Sequence, residues 1–362
     1  MSAEMGRLAF MVEPGTLEFR EYELPELPEG ALLLRTRAAG VCGSELHMWA
    51  GHHPLKSMVL GHEIIGEVTE HSRRSHDSAG ERLAVGDRVS VVYYLTCDAC
   101  RACARGEFEL CENAYRNWGQ SPDLSPHFTG THGTHYYVDP KQWLFKVPDN
   151  VPDLIGASAN CGLSQVWAGI ERAQLRAGET LVIQGAGGLG LYATAIAKDR
   201  GARVIVVDAV DSRLESATAF GADDVVSMGQ YETPEARAAR VKELTGGEGA
   251  DVGLEVAGVP AAVVEGIKLL RIGARYIEIG NVTPGPEISL DIGSLTRQAV
   301  SIIPVIRYKP WMLRDSLQFL SRNVDRLPLE RLLDAQYPLD RLEDALRDAG
   351  ERKVTRPVLT FV

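Results

Sequence analysis

No apolar run in this sequence is long enough to span a bilayer, which argues against a membrane protein. The opening residues, MSAEMGRLAFMVEPG, lack the basic start, apolar stretch and small-residue cleavage site of a secretory signal, so a cytoplasmic location is expected. Positive charge is also in short supply. Against 49 Asp and Glu there are 38 Lys and Arg, giving a net charge of -11 and a surface that repels phosphate backbones and anionic membranes. Nucleic acid is therefore not expected as a partner. Internal repeats of solenoid period are absent, as are low-complexity tracts. Cysteine is sparse, six in 362 residues, and in a cytoplasmic chain these are metal ligands or reduced thiols before they are disulfides.

What remains is a chain with material for two domains, each with an apolar core. To about residue 150 the pattern is short strands punctuated by Gly, Pro and Asp: LEFREYELPELP, ALLLRTRAAG, EIIGEVTE and GDRVSVV. The polar stretch HSRRSHDSAGER, from His71 to Arg82, reads as a surface loop. From Thr180 onward, strands TLVIQ, ARVIVVD, DDVV, ADVGLEV and ARYIEIG alternate with helical spacing at 188–200, 212–220, 235–244 and 261–270. Such alternation predicts a parallel sheet with helices on its faces. The last stretch, from Lys309, holds two helical patterns, MLRDSLQFL and LDRLEDALRDAG, and a closing strand, PVLTF.

Four of the cysteines, Cys97, Cys100, Cys103 and Cys111, crowd into CDACRACARGEFELC. Four thiolates close the coordination sphere of a tetrahedral zinc ion, so this site is expected to fix a loop and leave no position for substrate. A nucleic-acid-binding zinc module is the rival reading, but Asp98, Glu107, Glu109 and Glu112 make the surroundings acidic. The other two, Cys42 in GVCGSELH and Cys161 in SANCGLSQ, join His62 in LGHEIIGEV as a second candidate set. A lone Cys is more often a small core residue and a lone His a hydrogen-bonded one. Here, though, Cys42 and His62 stand in Gly-rich turns at strand ends, where side chains converge on a cleft. Three protein ligands leave zinc a fourth position and make it a Lewis acid toward an alcohol.

Strand TLVIQ runs directly into Gly185, Ala186, Gly187, Gly188, Leu189 and Gly190 and then a helical segment, the setting in which G-x-G-x-x-G marks a dinucleotide site. Gly185 suits the tight turn, Gly187 the approach of the pyrophosphate and Gly190 the close packing of the helix. Asp208 closes the next strand, where the fingerprint places the acid that binds ribose hydroxyls. That carboxylate repels a 2'-phosphate, so NAD is favoured over NADP, although Arg213 stands five positions on and suits either a phosphate or the ribose.

Together these residues closely resemble the zinc-containing branch of the medium-chain dehydrogenase/reductase family. The resemblance is carried by GHE at 61–63, GDRV at 86–89, the four-cysteine lobe, the glycine fingerprint and AFGADDVV, and it spans essentially the whole chain. It implies a GroES-like β catalytic domain built from 1–162 and 305–362, with a Rossmann doubly wound NAD-binding domain at 163–304 inserted between. It further implies two zinc ions per subunit, the catalytic one held by Cys42, His62 and Cys161 with Glu63 behind it as an occasional ligand. Ser44 matches the hydroxyl that takes the alcohol proton and His47 the imidazole that passes it to solvent. Arg356 falls where the family has a pyrophosphate-binding arginine. Glu45 stands where the family usually has an Asp that orients the histidine ligand, and Gly43 where some members carry a phosphate-binding Arg. Trp49 and Tyr93 fall in segments expected to wall the substrate pocket. The implied reaction is reversible oxidation of an alcohol to an aldehyde or ketone with NAD, and the substrate expected is a secondary alcohol, cyclic ones included. The rivals are a polyol or threonine-type dehydrogenase with the same machinery, and a zinc-stabilised NADH-binding sensor. The resemblance also implies a homo-oligomer, tetramer or dimer, pairing near 287–305.

Overall fold

The structure, a computed structural model, describes residues 4–361. Contacts divide the chain into two compact units. The first comprises 4–161, 309–325 and 329–361, and the second 162–308 with the short return 326–328. Relative to the sequence reading, the second unit therefore starts at 162 instead of 163 and continues to 308, past the expected end at 304.

The first unit opens with β1 (Met5–Glu13), β2 (Thr16–Glu23), β3 (Leu32–Gly40), α1 (Gly43–Trp49), β4 (Met58–Val59), β5 (Ile65–His71), β6 (Arg88–Val91), α2 (Arg101–Ala104), β7 (His135–Val138), β8 (Leu144–Lys146) and α3 (Asp153–Gly156). In the second unit follow α4 (Ser164–Arg172), β9 (Thr180–Gln184), α5 (Gly188–Asp199), β10 (Arg203–Asp208), α6 (Asp211–Ala219), β11 (Asp224–Ser227), α7 (Pro234–Leu244), β12 (Ala250–Glu255), α8 (Pro260–Lys268), β13 (Leu270–Glu278), α9 (Ile292–Gln298) and β14 (Ser301–Pro304). The chain then returns to the first unit with α10 (Met312–Asn323), β15 (Ala335–Pro338), α11 (Leu342–Gly350) and β16 (Pro357–Thr360).

Two sheets build the first unit: a small one, β2-β1-β4, and a seven-stranded one ordered β15-β16-β3-β5-β6-β8, with β7 pairing β3. β3 is the organising strand of the larger one, pairing β16, β5 and β7. Its LLLRTRAAG sequence is buried at both ends and ends at Gly40, delivering the chain to Cys42. Strand β1 escaped the sequence reading because MGRLAFMVE does not alternate. Its centre is buried on both faces, so apolar residues fill consecutive positions.

In the second unit six parallel strands run in the order β11-β10-β9-β12-β13-β14, the doubly wound order in which ligands lie beyond the carboxyl ends of the central strands. Val182, Ile205, Val207, Val226 and Tyr276 belong to its core, packed with Val241, Val263 and Ile267 from the helices. One helix reading is corrected. The spacing at 261–270 suggests a helix through Leu270, whereas α8 stops at Lys268 and Leu270 already begins β13. Leu269 and Leu270 are both buried, so hydrophobic spacing carries no mark of the change from helix to strand. Among the described residues no helix is long and apolar enough to cross a membrane.

Candidate metal and dinucleotide sites

Cys42 caps the N-terminus of α1 with extended backbone, φ -86° and ψ 153°. His62 follows Gly61, whose φ of +97° favours glycine and where a Cβ would stand 2.4 Å from the His132 backbone nitrogen. Cys161 lies in a single π-helical turn, Ala159–Leu163, a local irregularity common at functional positions. Asn160, next to it and buried, donates through Nδ2 to the carbonyls of His62 and Val91, both at 2.8 Å, tying this turn to the histidine loop.

These segments bring Cys42 Sγ to 3.7 Å from Cys161 Sγ, and His62 Nε2 to 3.3 Å from Cys161 Sγ. Zinc–sulfur bonds of about 2.3 Å in a tetrahedron put two sulfurs about 3.8 Å apart, so the spacing is that of a zinc site. Glu63 brings a carboxylate oxygen into the same cluster, all four ligand atoms lying within 4.8 Å of one another.

Glu45 fits despite its extra methylene. Its Oε1 stands 3.0 Å from His62 Nδ1 and its Oε2 accepts the Cys42 N–H at 2.9 Å, so one buried carboxylate orients two of the candidate ligands. In the neutral ring, a proton on Nδ1 toward Glu45 leaves Nε2, 3.3 Å from Cys161 Sγ, as the atom that can ligate a metal. Behind it lies buried His132, whose Nε2 donates to Gly40 O at 3.1 Å and stands 3.7 Å from Glu45 Oε2.

The electrostatics suit a cation. The hydrogen bond from the Cys161 thiol, above all, holds Cys42 well below the ordinary thiol range, against the effect of burial and with help from His62 and the Ser44 hydroxyl. The same bond and burial push Cys161 up. Burial alone would lower His62, but the Glu45 carboxylate outweighs it and holds the imidazole well above its ordinary value. Burial raises Glu63 to about 7, opposed by Arg356. Arg356 Nη2 donates to both Glu63 oxygens, at 2.8 and 2.9 Å, and Gly40 leaves space for that carboxylate, since a Cβ there would stand 1.9 Å from Oε2.

Ser44 and His47 lie one turn apart on α1, Ser44 half-buried and His47 exposed with its ring 6.1 Å from that of His52. Gly43 beside them is open, with nothing within 4 Å of a Cβ placed there. The Tyr93 ring stands 5.4 Å from the His62 ring and Trp118 5.8 Å from it. Trp49 instead packs against the cluster of Met48, Leu342 and Leu346. Asn160, His132 and Trp118 were not singled out from the sequence. Only the place of Asn160 beside a candidate ligand offered a signal.

The four-cysteine lobe closes on itself, its four sulfurs within 4.8 Å of one another. Cys100 N–H points at Cys97 Sγ at 3.3 Å and Cys103 N–H at Cys100 Sγ at 3.5 Å. Backbone N–H donors, that of Ala99 first, bring Cys97 down to about 6, while burial carries Cys103 up to about 12. Thiolates held by amide donors are ready metal ligands.

In the second unit β9 turns at Gly185, φ +105°, and α5 starts at once with Gly187 as its N-cap. A Cβ on Gly190 would stand 1.9 Å from Gly185 O, so the helix packs on the turn only as glycine. A Cβ on Gly187 would meet nothing within 4 Å, which leaves the helix N-terminus open to an anion. Gly188 and Leu189 form the half-buried first turn. Asp208 Oδ2 accepts the Ala186 N–H at 2.7 Å and Oδ1 the Val210 N–H at 2.8 Å, fixing the carboxylate against the glycine loop. A carboxylate accepts about four hydrogen bonds, so two lone pairs remain for hydroxyls. Arg213 sits half-buried in the first turn of α6.

The chain matches the zinc-binding dehydrogenase family over residues 188–322 and the alcohol dehydrogenase GroES-like domain over 28–149. It is 30% identical over 339 residues to L-threonine 3-dehydrogenase of Aeromonas hydrophila subsp. hydrophila, covering 91% of this chain and 92% of that protein. It is 28% identical over 354 residues to sorbitol dehydrogenase of Bacillus subtilis, covering 96% and 94%. Among solved structures, the alcohol dehydrogenase of Thermotoga maritima superposes with a TM-score of 0.92 at 29% identity, covering 99% of this chain and 100% of that one.

Proposed function

The chain belongs to the zinc-binding dehydrogenases with a GroES-like domain, and from that premise we propose that it oxidises an apolar secondary alcohol, cyclic by preference, using NAD. The observation that carries this reading is the Cys42, His62 and Cys161 cluster at zinc spacing, in a chain that also holds an open dinucleotide loop. When bound, zinc supplies a Lewis acid that eases loss of the alcohol proton, and the nicotinamide supplies a hydride acceptor.

The chain's own residues do the rest. Cys42, His62 and Cys161 hold the metal, and Glu45 fixes the His62 ring and the Cys42 backbone from behind. Ser44 Oγ takes the proton of the alcohol, and exposed His47 passes it to solvent. Glu63 is kept in reserve by its pairing with Arg356, which also carries the assignment as a pyrophosphate contact. Cys97, Cys100, Cys103 and Cys111 hold a second, structural zinc, making two per subunit. Gly187 and the N-terminus of α5 receive the pyrophosphate, and Asp208 the adenosine ribose. A carboxylate at 208, already bound to two backbone N–H groups, leaves no place for a 2'-phosphate, which supports NAD over NADP. Arg213 then contacts the ribose.

Tyr93 and Trp118 stand against the His62 ring, and their aromatic faces support an apolar substrate over a polyol. The relatives named for sorbitol and threonine favour the second reading, a polyol or amino-acid dehydrogenase. We place the protein in the cytoplasm, where its thiols stay reduced. β14 ends the parallel sheet with Ile302 exposed, and nearby Ile292 and Ile306 are exposed too, which supports a homo-oligomer, tetramer or dimer, paired through this edge.

The test is NADH formation by zinc-loaded protein on cyclohexanol, 2-butanol, benzyl alcohol, sorbitol and threonine, with NADP in parallel. Turnover concentrated on cyclic and secondary alcohols with NAD supports the proposal. A preference for sorbitol or threonine installs the second reading in its place.

A further inference from the structure

The carboxyl edge of the parallel sheet carries a second arrangement, separate from the glycine loop. Glu255 ends β12 and Glu278 ends β13, and the register of the two strands sets these residues directly opposite each other. Neighbouring strands lie about 4.8 Å apart, and opposed residues share a face, so two carboxyl groups meet there. Glu255 is fully buried. Its Oε1 accepts the N–H groups of Ala257 and Gly258, both at 2.7 Å, and its Oε2 accepts Asn281 Nδ2 at 2.9 Å. The same amide nitrogen reaches Glu278 Oε1 at 3.1 Å, and Asn281 N–H donates to that oxygen at 2.9 Å.

Thus Glu255 ties down the loop after β12, Glu278 the loop after β13, and Asn281 spans both. The loops are in close contact: a Cβ on Gly280 would stand 2.4 Å from Glu255 Oε2 and 2.5 Å from Gly258 N. Glu278 Oε2 is buried with no hydrogen-bond partner but the facing carboxyl. Among the described residues neither acid has a Lys or Arg in an ion pair. On the helices packed over this face, Glu265 of α8 is held by Arg237 at 2.6 Å and Lys268 by Glu235 at 3.0 Å, and α9 contributes Arg297. From β13 the Tyr276 hydroxyl donates to Gln184 Oε1 at 2.8 Å.

We propose that Glu255, carrying a proton, donates to the Glu278 carboxylate as a latch between the loops at 256–259 and 279–282, and that this latch positions the dinucleotide-binding edge of the sheet. The proposal rests on the dinucleotide reading above. With the proton, one carboxyl donates to the other and the pair carries a single charge. Without it, two anions, Glu255 buried and Glu278 half-buried, face each other and drive the loops apart. Burial first, and the charge of Glu278 next, raise Glu255 from 4.5 to about 7. The folded value lies above the ordinary one, so the pair's contribution to stability is full below 4.5, declines as pH rises to about 7 and is lost beyond. Loops at the carboxyl ends of these strands flank the dinucleotide crevice, so release of the latch weakens dinucleotide binding. Glu255, Glu278 and Asn281 act here as positioning residues.

The test is a fluorescence titration of zinc-loaded, full-length protein with NADH from pH 6 to 8.5, for the wild type and Glu278→Gln. The glutamine amide donates to Glu255 at every pH. The wild-type Kd rises above pH 7, by at most about tenfold per pH unit, and Glu278→Gln holds the low-pH affinity throughout. Amide protection at 256–259 and 279–282, the base-catalysed intrinsic exchange rate divided by the observed one, falls over the same pH range in the wild type and stays constant in the variant. A measurement that needs no variant is calorimetry of NADH binding at pH 7.5 in two buffers of different ionisation enthalpy, which reports proton uptake by the wild type. A pH profile unchanged by Glu278→Gln, or NADH binding without proton uptake, overturns the latch. Absence of NADH binding to the wild type at any pH overturns the dinucleotide reading instead, while the exchange measurement still tests the loops.

Discussion

Replacing Glu45 by Ala removes at once the carboxylate paired with His62 Nδ1 at 3.0 Å and the acceptor of the Cys42 N–H at 2.9 Å. Hydrogen bonds to a charged group contribute about 1.5–3 kcal/mol each, and losing them sets the imidazole free to rotate and the cap of α1 free to shift. Loss of a carboxylate behind a ligating histidine weakens metal affinity by about 10–100-fold. Glu45→Ala is therefore expected to release zinc from the Cys42, His62 and Cys161 site at correspondingly lower chelator concentration, while the four-cysteine lobe keeps its ion. The assay is zinc release into a colorimetric chelator, read as two separate equivalents, with cobalt substitution to follow ligand geometry by its visible bands. Glu45→Asp, too short to reach both donors, falls between the wild type and Ala. Equal chelator resistance of wild type and Glu45→Ala refutes the claim that Glu45 orients the ligands.

Other substitutions follow from the same geometry. Gly190→Ala puts a Cβ at 1.9 Å from the Gly185 carbonyl, a contact with backbone that no side-chain rotation relieves, so NADH affinity measured by fluorescence drops at least tenfold with the zinc content unchanged. Asp208→Ala is expected to weaken NAD binding and relax discrimination against NADP, read from KM for each cofactor. Unchanged NAD affinity counts against its role. Arg356→Ala leaves the Glu63 carboxyl buried without its cation, and breaking such a pair costs about 3–5 kcal/mol, visible in urea unfolding of the zinc-loaded protein.

The residues of the candidate sites were easier to pick out in the sequence than the scaffold, for a physical reason. Ligand chemistry demands particular residue types, and Cys42, His62, Cys161 and the four-cysteine lobe announce themselves by type and by their glycine-rich settings. Gly185, Gly187 and Gly190 were legible because each position has its own steric demand, now visible as a positive φ, an open N-terminus and a 1.9 Å approach. Supporting residues carry no such mark. His132, Asn160 and Trp118 act through contacts with segments distant in sequence, and nothing local distinguishes them from ordinary core or loop residues. The Glu255 and Glu278 pairing was equally hidden, because it depends on the register of two strands. Strand β1 and the end of α8 were missed because burial on every side erases periodicity.

The most direct test of the central claim is alcohol-dependent NADH formation by the zinc-loaded wild type beside Cys42→Ser, with NADH binding measured on both. The account predicts turnover by the wild type, none by Cys42→Ser, and equal NADH affinity in the two. Turnover surviving in Cys42→Ser contradicts it.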